Sequence, residues 1–393
     1  MMILITLTAS LIIQAYIHEE SLFTFASSNS APNFIELAAR NGFEAEKHDV
    51  VTEDGYILGL FHIRGNRGLP IFLMHALTDT SDTWLLRGNT SLGATLSRLG
   101  YDIWFGNVRG NRYSRRHITL NPDRDPTFWN FSFHEHGYYD LPAIINTILK
   151  KTGAPKLNAI GHSQGNTVFY VLGSTKPEYN DKVNILIALA PICYLDHMPL
   201  PLSALIEISP IINAKAIALG ETEIFGDVST TGKLNNLICR QFVFRYEVCT
   251  LGVLFPLFGY DIQEFGPKYN DIVSKHFPSS TTRMNLYHFA QVALRHRFAR
   301  YDFGPDINIR VYNSTIPPNY DLKKVTMPVV LVVGKNDKVS TLADVATLRA
   351  KLPNVKKYIL IEMECMNHLD FVWGEHMADY LFPHILSILE GCD

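Results

Sequence analysis

The residue types best suited to chemistry lie in a Gly-x-Ser-x-Gly pentapeptide, Gly161-His-Ser-Gln-Gly165. An apolar strand is predicted before it and an apolar helix after it, which is the setting in which such a serine acts as a nucleophile. The turn is so sharp that a Cβ atom at Gly161 or Gly165 would collide with neighbouring backbone. We therefore expect Ser163 on a tight bend with its hydroxyl exposed, and the N–H of Gln164, at the helix start, positioned to stabilise an oxyanion.

A serine hydroxyl is a weak nucleophile unless a base takes its proton and an acid orients that base. In sheets that carry this turn, the acid and then the histidine follow the serine, each just beyond a strand. Asp337 follows the apolar run 328–333, and His368 follows the run 358–363. The spacing predicts Asp337 and His368 as partners of Ser163, whereas His368 alone would be read as a hydrogen-bonded core histidine.

Two other acids lie close to these positions. Asp344 is predicted to lie within a helix from about Thr341 to Lys351, and Asp370 follows His368 too closely to reach its ring without a special bend. We therefore expect Asp337, and not these two, to pair with the histidine. A second oxyanion donor is expected from the loop after the strand that ends at His75, with the main-chain N–H of Leu77 as the candidate; the alternative is a plain surface loop.

Short apolar strands alternate with helices along the first half of the chain, which predicts a largely parallel sheet covered on both faces. Residues 49–64 are predicted to form a β-hairpin. Asp140 is predicted to cap a helix that has Pro142 in its first turn. The alternation stops from about Leu195 to Asn319, which is rich in Ile, Leu and Phe, and then resumes. The pattern predicts an α/β core, residues 32–194 and 320–393, interrupted by a largely helical cap, residues 195–319.

The composition fits an enzyme with a sizeable buried core, since 47% of the 393 residues are hydrophobic and 19% are charged. The formal net charge of −3 gives no field that favours nucleic acid. We expect neither a cofactor nor a metal, because His134-Glu-His136 and the scattered cysteines lack ligand spacing.

The first residues are almost continuously apolar to Ile17, and a polar stretch follows. We interpret residues 1–28 as a secretory signal peptide, with an uncleaved anchor as the alternative. Entry to the secretory route makes the sequons at Asn89, Asn130 and Asn313 candidate glycosylation sites. We expect Asn130, which lies among aromatic residues, to be too buried for a glycan.

Five cysteines are present, and an oxidising compartment favours pairing among them. Cys239 and Cys249 lie ten apart and could form a bridge. Cys193, Cys365 and Cys392 would then be left, and we expect Cys365 to be buried.

Several longer motifs together resemble the acid lipases, the group of gastric and lysosomal acid lipases with many insect relatives. They are Thr52-Glu-Asp-Gly-Tyr-Ile-Leu58, Gly106-Asn-Val-Arg-Gly-Asn-Arg-Tyr-Ser-Arg-Arg-His117, Phe128-Trp-Asn-Phe-Ser132, Tyr139-Asp-Leu-Pro142, Gly161-His-Ser-Gln-Gly165 and Asn367-His-Leu-Asp-Phe371. The resemblance runs from about Phe43 to Leu389.

This resemblance implies an α/β-hydrolase fold with a cap and a Ser163–Asp337–His368 triad. It also implies an oxyanion hole from the backbones of Leu77 and Gln164, and a cap disulfide at Cys239 and Cys249. The implied activity is hydrolysis of neutral lipid esters at a lipid–water interface, in a secreted or lysosomal protein. The basic run from Arg109 to Arg116 is then a structural loop.

The chain departs from the family pattern at three places. The usual His-Gly-Leu-Leu is His75-Ala-Leu-Thr78, the usual Gly-Thr after the serine turn is Gly165-Asn166, and the usual Ala-Asp-Pro after the acid is Ser340-Thr-Leu342. None of the three removes a reacting group, but the first could change the oxyanion loop.

Three functions remain open at this point: a triacylglycerol or sterol ester lipase, a non-catalytic lipid-binding protein of the same fold, and an esterase for small soluble esters. The uncharged stretch Val248–Tyr260 is either buried against the core or part of the lipid site.

Overall fold

The fold is built on one eight-stranded sheet, seen in a computed structural model that describes residues 31–391. Its strand order is β1-β2-β4-β3-β5-β6-β9-β10, and a separate two-stranded ribbon pairs β7 with β8. The strands are β1 Glu46–Val51, β2 Ile57–Ile63, β3 Arg67–Met74, β4 Tyr101–Phe105, β5 Leu157–His162, β6 Val183–Leu189, β7 Glu223–Ile224, β8 Thr281–Thr282, β9 Val329–Val333 and β10 Val355–Leu360.

The first two strands form the antiparallel hairpin that the sequence predicts, and β2 also runs antiparallel to β4. All other neighbours in the large sheet are parallel. The carboxyl ends of β5, β9 and β10 therefore meet at one edge, so the loops that follow them lie close together.

Helices cover both faces of this sheet. The α-helices are α1 Phe34–Arg40, α2 Leu92–Arg98, α3 Phe133–Glu135, α4 Leu141–Thr152, α5 Gln164–Thr175, α6 Leu202–Ala218, α7 Thr230–Asn235, α8 Phe255–Phe258, α9 Pro267–Val273, α10 Arg283–Arg295, α11 Pro305–Tyr312, α12 Leu342–Lys351, α13 Asp370–Trp373, α14 Met377–Tyr380 and α15 Phe382–Leu389.

Alternate side chains of each strand enter two separate apolar cores, as the two-residue period of a strand requires. In β3, Phe72 joins a core that includes Ile144 and Ile145 of α4, whereas Leu73 joins a core that includes Leu96 of α2 and Ile385 of α15. The predicted fold class, a mostly parallel sheet with helices on both faces, is confirmed.

The helix predicted after Asp140 is present as α4, with Pro142 in its first turn, but the predicted cap is wrong. The helical segment begins at Phe133, where Ser132 and Glu135 form a capping box, and it continues through a wider π-type turn at His136–Asp140 into α4. The Asp140 side chain makes no cap hydrogen bond and binds Arg109 instead. The sequence could not distinguish the two roles of Asp140, because an acid just before Pro142 fits either a helix cap or a buried ion pair.

The basic run is structural, as the resemblance implies. Arg109 is buried and pairs with both Asp140 and Asp54, and its guanidinium lies 3.9 Å from the centre of the Tyr56 ring. Burial raises the pKa of Asp140 to about 6 although Arg109 lies beside it. The guanidinium therefore ties the β1–β2 hairpin to the helical segment that precedes the serine turn.

Residues 195–319, between β6 and β9, add no strand to the large sheet. They hold α6 to α11, the β7–β8 ribbon and two π-type segments, Asn236–Gln241 and Tyr246–Leu254. A disulfide joins Cys239 in the first segment to Cys249 in the second. Within residues 31–391 no helix is long and apolar enough to cross a membrane.

Two expectations about exposure fail. Asn130 is exposed although Phe128, Trp129 and Phe131 around it are buried. Cys365 is also exposed, in the loop after β10, whereas Cys193 is buried. Asn89 and Asn313 are exposed as well, so all three sequons stay predicted glycosylation sites. The predicted signal peptide and Cys392 lie outside the described residues.

Candidate active site

The serine turn has the strained geometry that its glycines predict. Ser163 lies between β5 and α5 with φ 55° and ψ −118°, and its N–H donates to the carbonyl of Leu189 at 3.0 Å. A Cβ atom on Gly161 would come within 2.4 Å of the Asn166 side chain, and one on Gly165 within 2.4 Å of the Met74 carbonyl. The expected need for glycine on both sides of Ser163 is therefore confirmed.

The three residues predicted to react form a continuous chain of hydrogen bonds. The Nε2 atom of His368 lies 2.8 Å from Oγ of Ser163, and its Nδ1 atom lies 2.8 Å from Oδ2 of Asp337. All three residues are buried. Because a carboxylate can only accept, Nδ1 carries the proton and Nε2 presents its lone pair to the serine hydroxyl. This arrangement can move the serine proton to the histidine.

Backbone contacts hold the acid in position. Oδ1 of Asp337 accepts hydrogen bonds from the N–H groups of Val339 at 2.8 Å and Ser340 at 2.7 Å. These donors occupy one carboxylate oxygen and leave the other for the imidazole. The Ser340 hydroxyl in turn donates to the carbonyl of Pro191 at 2.8 Å, after β6. The family departure at Ser340 thus leaves the acid loop well anchored.

The histidine is positioned by two residues that the sequence analysis did not identify. His162 donates through Nε2 to the carbonyl of His368 at 2.9 Å, and burial lowers the pKa of His162 to about 3, so it stays neutral. The N–H of His368 donates to the carbonyl of Phe258 at 3.2 Å, and the two rings lie 5.6 Å apart. His162 was visible inside the pentapeptide, but the contribution of Phe258, from the distant segment 195–319, left no local signal.

The two alternative acids are engaged elsewhere. The carboxylate of Asp344 accepts from the N–H groups of Asp196 and His197 at 3.0 and 3.2 Å, and so it fixes the start of the segment 195–319. Asp370 accepts from the N–H of Asn367 at 2.7 Å, and burial raises its pKa well above the usual range. Neither carboxylate contacts the imidazole of His368 in the hydrogen bonds of residues 31–391.

The two predicted oxyanion donors lie in the serine turn and in the loop after β3. Gln164 is the first residue of α5, where backbone N–H groups lack an acceptor within the helix. Leu77 lies in the loop after β3. That loop begins beside the serine turn, because the atoms nearest to a Cβ placed on Gly165 belong to the Met74 and His75 carbonyls. The two backbones are therefore suited to stabilise negative charge beside Ser163.

A buried histidine fixes the start of this loop. His75 donates through Nδ1 to the carbonyl of Ala76 at 2.7 Å, and its Nε2 accepts from the Val108 N–H at 3.3 Å and from the Asn111 amide at 3.1 Å. Burial lowers the pKa of His75 to about 4, so this pattern of one donor and one acceptor is kept near neutral pH.

The alanine in place of the family glycine is compatible with the loop. The φ angle of Ala76 is not positive, so its backbone does not require glycine. Thr78, two residues later, has φ 56°. The Thr78 hydroxyl donates to the carbonyl of Leu77 at 2.7 Å, in the peptide after the Leu77 N–H, whereas the His75 bond to the Ala76 carbonyl restrains the peptide that carries that N–H. The alanine at position 76 therefore requires no change in the backbone of this loop.

A contact from α10 holds the other side of the site. The amide of Asn285 donates to Oε1 of Gln164 at 2.9 Å, and both residues are buried. The segment 195–319 therefore contacts Gln164 in the serine turn as well as His368. A lone Asn in a helix gave no sequence signal for this role.

The chain is similar to known lipases along most of its length. Residues 34–88 match the model of a partial alpha/beta-hydrolase lipase region, and residues 70–216 match that of the alpha/beta hydrolase fold. Lipase 1 of Drosophila melanogaster is 38% identical over 90% of this chain and 79% of its own length.

Mammalian proteins show comparable likeness. Lipase member K of Mus musculus is 33% identical and gastric triacylglycerol lipase of Rattus norvegicus is 32% identical, each over 91% of both chains. A solved structure from Acinetobacter baumannii aligns over 94% of this chain and 100% of its own, with a TM-score of 0.51 and 14% identity, which speaks to the fold alone.

Proposed function

The chain belongs to the acid lipase family and is a carboxylic ester hydrolase, and from this premise we propose that it cleaves neutral lipid esters, triacylglycerols or sterol esters, through an acyl-enzyme on Ser163. The observation that carries the proposal is the hydrogen-bonded line from Ser163 through His368 to Asp337. Ser163 lies in the strained turn between β5 and α5, the position in which such a serine is presented to substrate.

The proposed reaction begins when Nε2 of His368 takes the proton of Ser163 as Oγ attacks the ester carbonyl. The N–H groups of Leu77 and Gln164 stabilise the resulting oxyanion, and Asp337 stabilises the charged imidazole. The C–O bond to the alcohol then breaks, and His368 gives its proton to the departing alcohol. Water, deprotonated by His368, attacks the acyl-serine, releases the fatty acid and restores the hydroxyl.

The preference for lipid is supported by the surface of residues 195–319. No residue of α6 is buried, although the helix is composed largely of Ile, Leu and Ala. Its Ile211 is 73% exposed and its Ile217 is 56% exposed. Exposed apolar area of this kind is suited to a lipid–water interface. The rat relative is a gastric triacylglycerol lipase, which points to the same substrate class.

We also propose the organisation and route of the chain. Residues 1–28 direct it to the secretory pathway, residues 32–194 and 320–393 form the catalytic core, and residues 195–319 form a cap. The disulfide between Cys239 and Cys249 and the exposed sequons at Asn89, Asn130 and Asn313 fit a secreted or lysosomal protein.

The decisive experiment is covalent labelling with a fluorophosphonate, followed by peptide mapping. We expect one adduct, on Ser163, and no adduct in Ser163→Ala, whose folding is checked by its unfolding transition. The same two proteins are then assayed on an emulsified triacylglycerol, an emulsified sterol ester and a soluble short-chain ester.

An adduct on another serine of the folded wild type would contradict the assignment. Lipid binding without labelling or hydrolysis would instead identify a non-catalytic lipid-binding protein. Hydrolysis of the soluble ester alone would identify an esterase for small substrates. Loss of activity in Ser163→Ala should be at least about 10³-fold if the three residues act together.

A further inference from the structure

Three side chains with metal-binding atoms converge on one face of the β1–β2 hairpin. Glu46 and His48 are two residues apart in β1 and therefore point to the same side. Glu46 lies opposite His62 of β2 in the strand register. The sequence analysis missed the group because its members come from two strands and share no compact spacing.

The ligand atoms are already close to one another. Oε2 of Glu46 lies 3.5 Å from Nε2 of His48 and 4.0 Å from Nδ1 of His62, and all three atoms lie within 4.8 Å of each other. Ligands bound tetrahedrally at about 2.0–2.1 Å from zinc are separated by roughly 3.3 Å, so only small side-chain movements would close the set.

The histidine ligand atoms are also free of hydrogen-bond partners among the described residues. Nε2 of His48 is buried and has no hydrogen-bond partner among the described residues. Nε2 of His62 lies 2.7 Å from Oδ1 of Asp102, which can only accept, so the proton sits on Nε2 and the lone pair of Nδ1 faces Glu46. A carboxylate behind the distal nitrogen is the usual outer partner of a metal-bound imidazole.

The supporting residues fix this geometry in advance. Oδ2 of Asp102 accepts from Nε1 of Trp104 at 2.8 Å, and the Gly65 N–H donates to Oδ1 at 3.1 Å. The His62 ring stacks on Trp104 with the ring centres 3.8 Å apart, and the His48 ring lies 5.3 Å from the same indole. The rings are thus held in place by packing rather than by a partner at the ligand atoms.

We propose that Glu46, His48 and His62 form a zinc site, with Asp102 as the outer partner of His62 and water at the fourth position. Two imidazoles and one carboxylate suit zinc among the common divalent ions. The site lies away from the chemistry, because Asp102 is near the amino end of β4 while Ser163 follows the carboxyl end of the parallel β5. Its role is to join the edge strand β1 to β2, which pairs with β4 in the sheet.

One cation competes for the carboxylate. Arg64 contacts Oε1 of Glu46 through Nε at 2.8 Å and through a terminal nitrogen at 2.7 Å, which leaves Oε2 for the metal. The Arg64 guanidinium also offsets the negative charge of Glu46 and would repel a second cation bound there. Removing the Arg64 guanidinium should therefore strengthen zinc binding. If the cluster served only to form the Arg64–Glu46 ion pair, this change would not increase its affinity for zinc.

The test uses the full secreted chain, stripped with a chelator, dialysed and titrated with zinc chloride by calorimetry and by thermal unfolding. We expect one zinc per chain at this site, with a rise in Tm, and visible absorption from four-coordinate Co²⁺ when cobalt replaces zinc. His48→Phe keeps a ring beside Trp104 but no ligand atom. It should bind at least about 100-fold more weakly, because loss of an outer partner alone weakens binding about 10–100-fold.

Further variants keep the test decisive if His48→Phe folds poorly. Glu46→Gln should also weaken zinc binding, Asp102→Asn should weaken it about 10–100-fold, and Arg64→Gln should tighten it. His296→Gln, in a surface histidine–carboxylate pair, is the matched control and should bind as wild type. Equal affinity in wild type, His48→Phe and Glu46→Gln, or no heat and no Tm shift in wild type, would overturn the proposal.

Discussion

At the scale of single residues, the site depends on the hydrogen-bond partner that each polar atom of Asp337 and His368 has. One oxygen of Asp337 is taken by two backbone N–H groups and the other by His368. The backbone of His368 is held on both sides, by Phe258 through its N–H and by His162 through its carbonyl. The imidazole is therefore aimed at Ser163 before substrate arrives, and the energy of orienting it is not spent during the reaction.

This assignment predicts a large difference between two nearby acids. Asp337→Asn should lower kcat on a soluble ester by roughly 10⁴-fold, because an amide can no longer fix the tautomer of His368 or stabilise its charged form. Asp344→Asn should change kcat little per folded molecule, since that carboxylate binds the backbone of Asp196 and His197 instead. Urea unfolding of both variants gives the fraction of folded protein, and kcat is compared per folded molecule. If Asp344→Asn were the more damaging at equal stability, the acid would have been misassigned.

At the scale of elements, the loop after β3 combines two buried titratable residues with opposite shifts. Burial lowers the pKa of His75 to about 4 and raises that of Asp79 to about 7. The contribution of His75 to stability is present above pH 6.5 and is lost as the pH falls through 4. The contribution of Asp79 is present below pH 3.8 and is lost as the pH rises through 7. The two changes have opposite sign and nearly cancel between about pH 4 and 6.5, so the stability of the loop that carries Leu77 should vary little over that range.

Asp79→Asn tests this expectation. The amide keeps the size of the side chain and an oxygen for the Thr80 N–H, 2.8 Å away, but it does not ionise. The advantage of wild type over the variant in free energy of unfolding should fall between pH 5 and pH 8, by at most about 1.4 kcal/mol per pH unit below the pKa of Asp79. Urea unfolding at each pH measures it, with the exposed Asp181→Asn as the control. A constant difference between wild type and Asp79→Asn across this range would show that Asp79 is ionised throughout.

The same scale explains what the sequence could and could not predict. The serine turn and the two strand ends before Asp337 and His368 are local patterns, so their positions at one edge follow from parallel strands. The helical start at Phe133 was missed because the acid at position 140 serves Arg109 across the fold. The Glu46, His48 and His62 cluster was missed for a related reason, because strand register brings its members together.

At the scale of the whole molecule, the segment 195–319 both builds the site and faces solvent. Phe258 and Asn285 reach His368 and Gln164 from it. The stretch Val248–Tyr260, which the sequence left between burial and the lipid site, is mixed: Cys249, Thr250 and Phe255 are buried, whereas Val253 is exposed. Because Phe258 contacts His368, the proposed catalytic base, a substitution there would not distinguish loss of lipid contact from damage to the site.

The helix α6 allows a cleaner test of contact with lipid. Leu202 and Ile206 pack on a small core with Ile192 and Met198, while the outward side chains are free of that core. The outward set to be changed is Ile211, Ile212 and Ile217, which are 73%, 52% and 56% exposed. Changing all three to Ser removes apolar area from the surface without opening a cavity.

The triple variant should bind emulsified long-chain lipid at least about tenfold more weakly, because full transfer of each Ile from water would contribute ~1.5–3 kcal/mol. Hydrolysis of a soluble short ester should be unchanged, since none of the three residues is in the line from Ser163 to Asp337. The matched control replaces Val51, Leu99 and Ile118 by Ser, three exposed apolar residues outside 195–319. Equal losses on emulsion for both triple variants would assign lipid binding to general surface apolarity, and an equal loss on both substrates for the α6 variant would indicate a damaged fold. Only a selective loss in the α6 variant supports this helix as the surface that meets lipid.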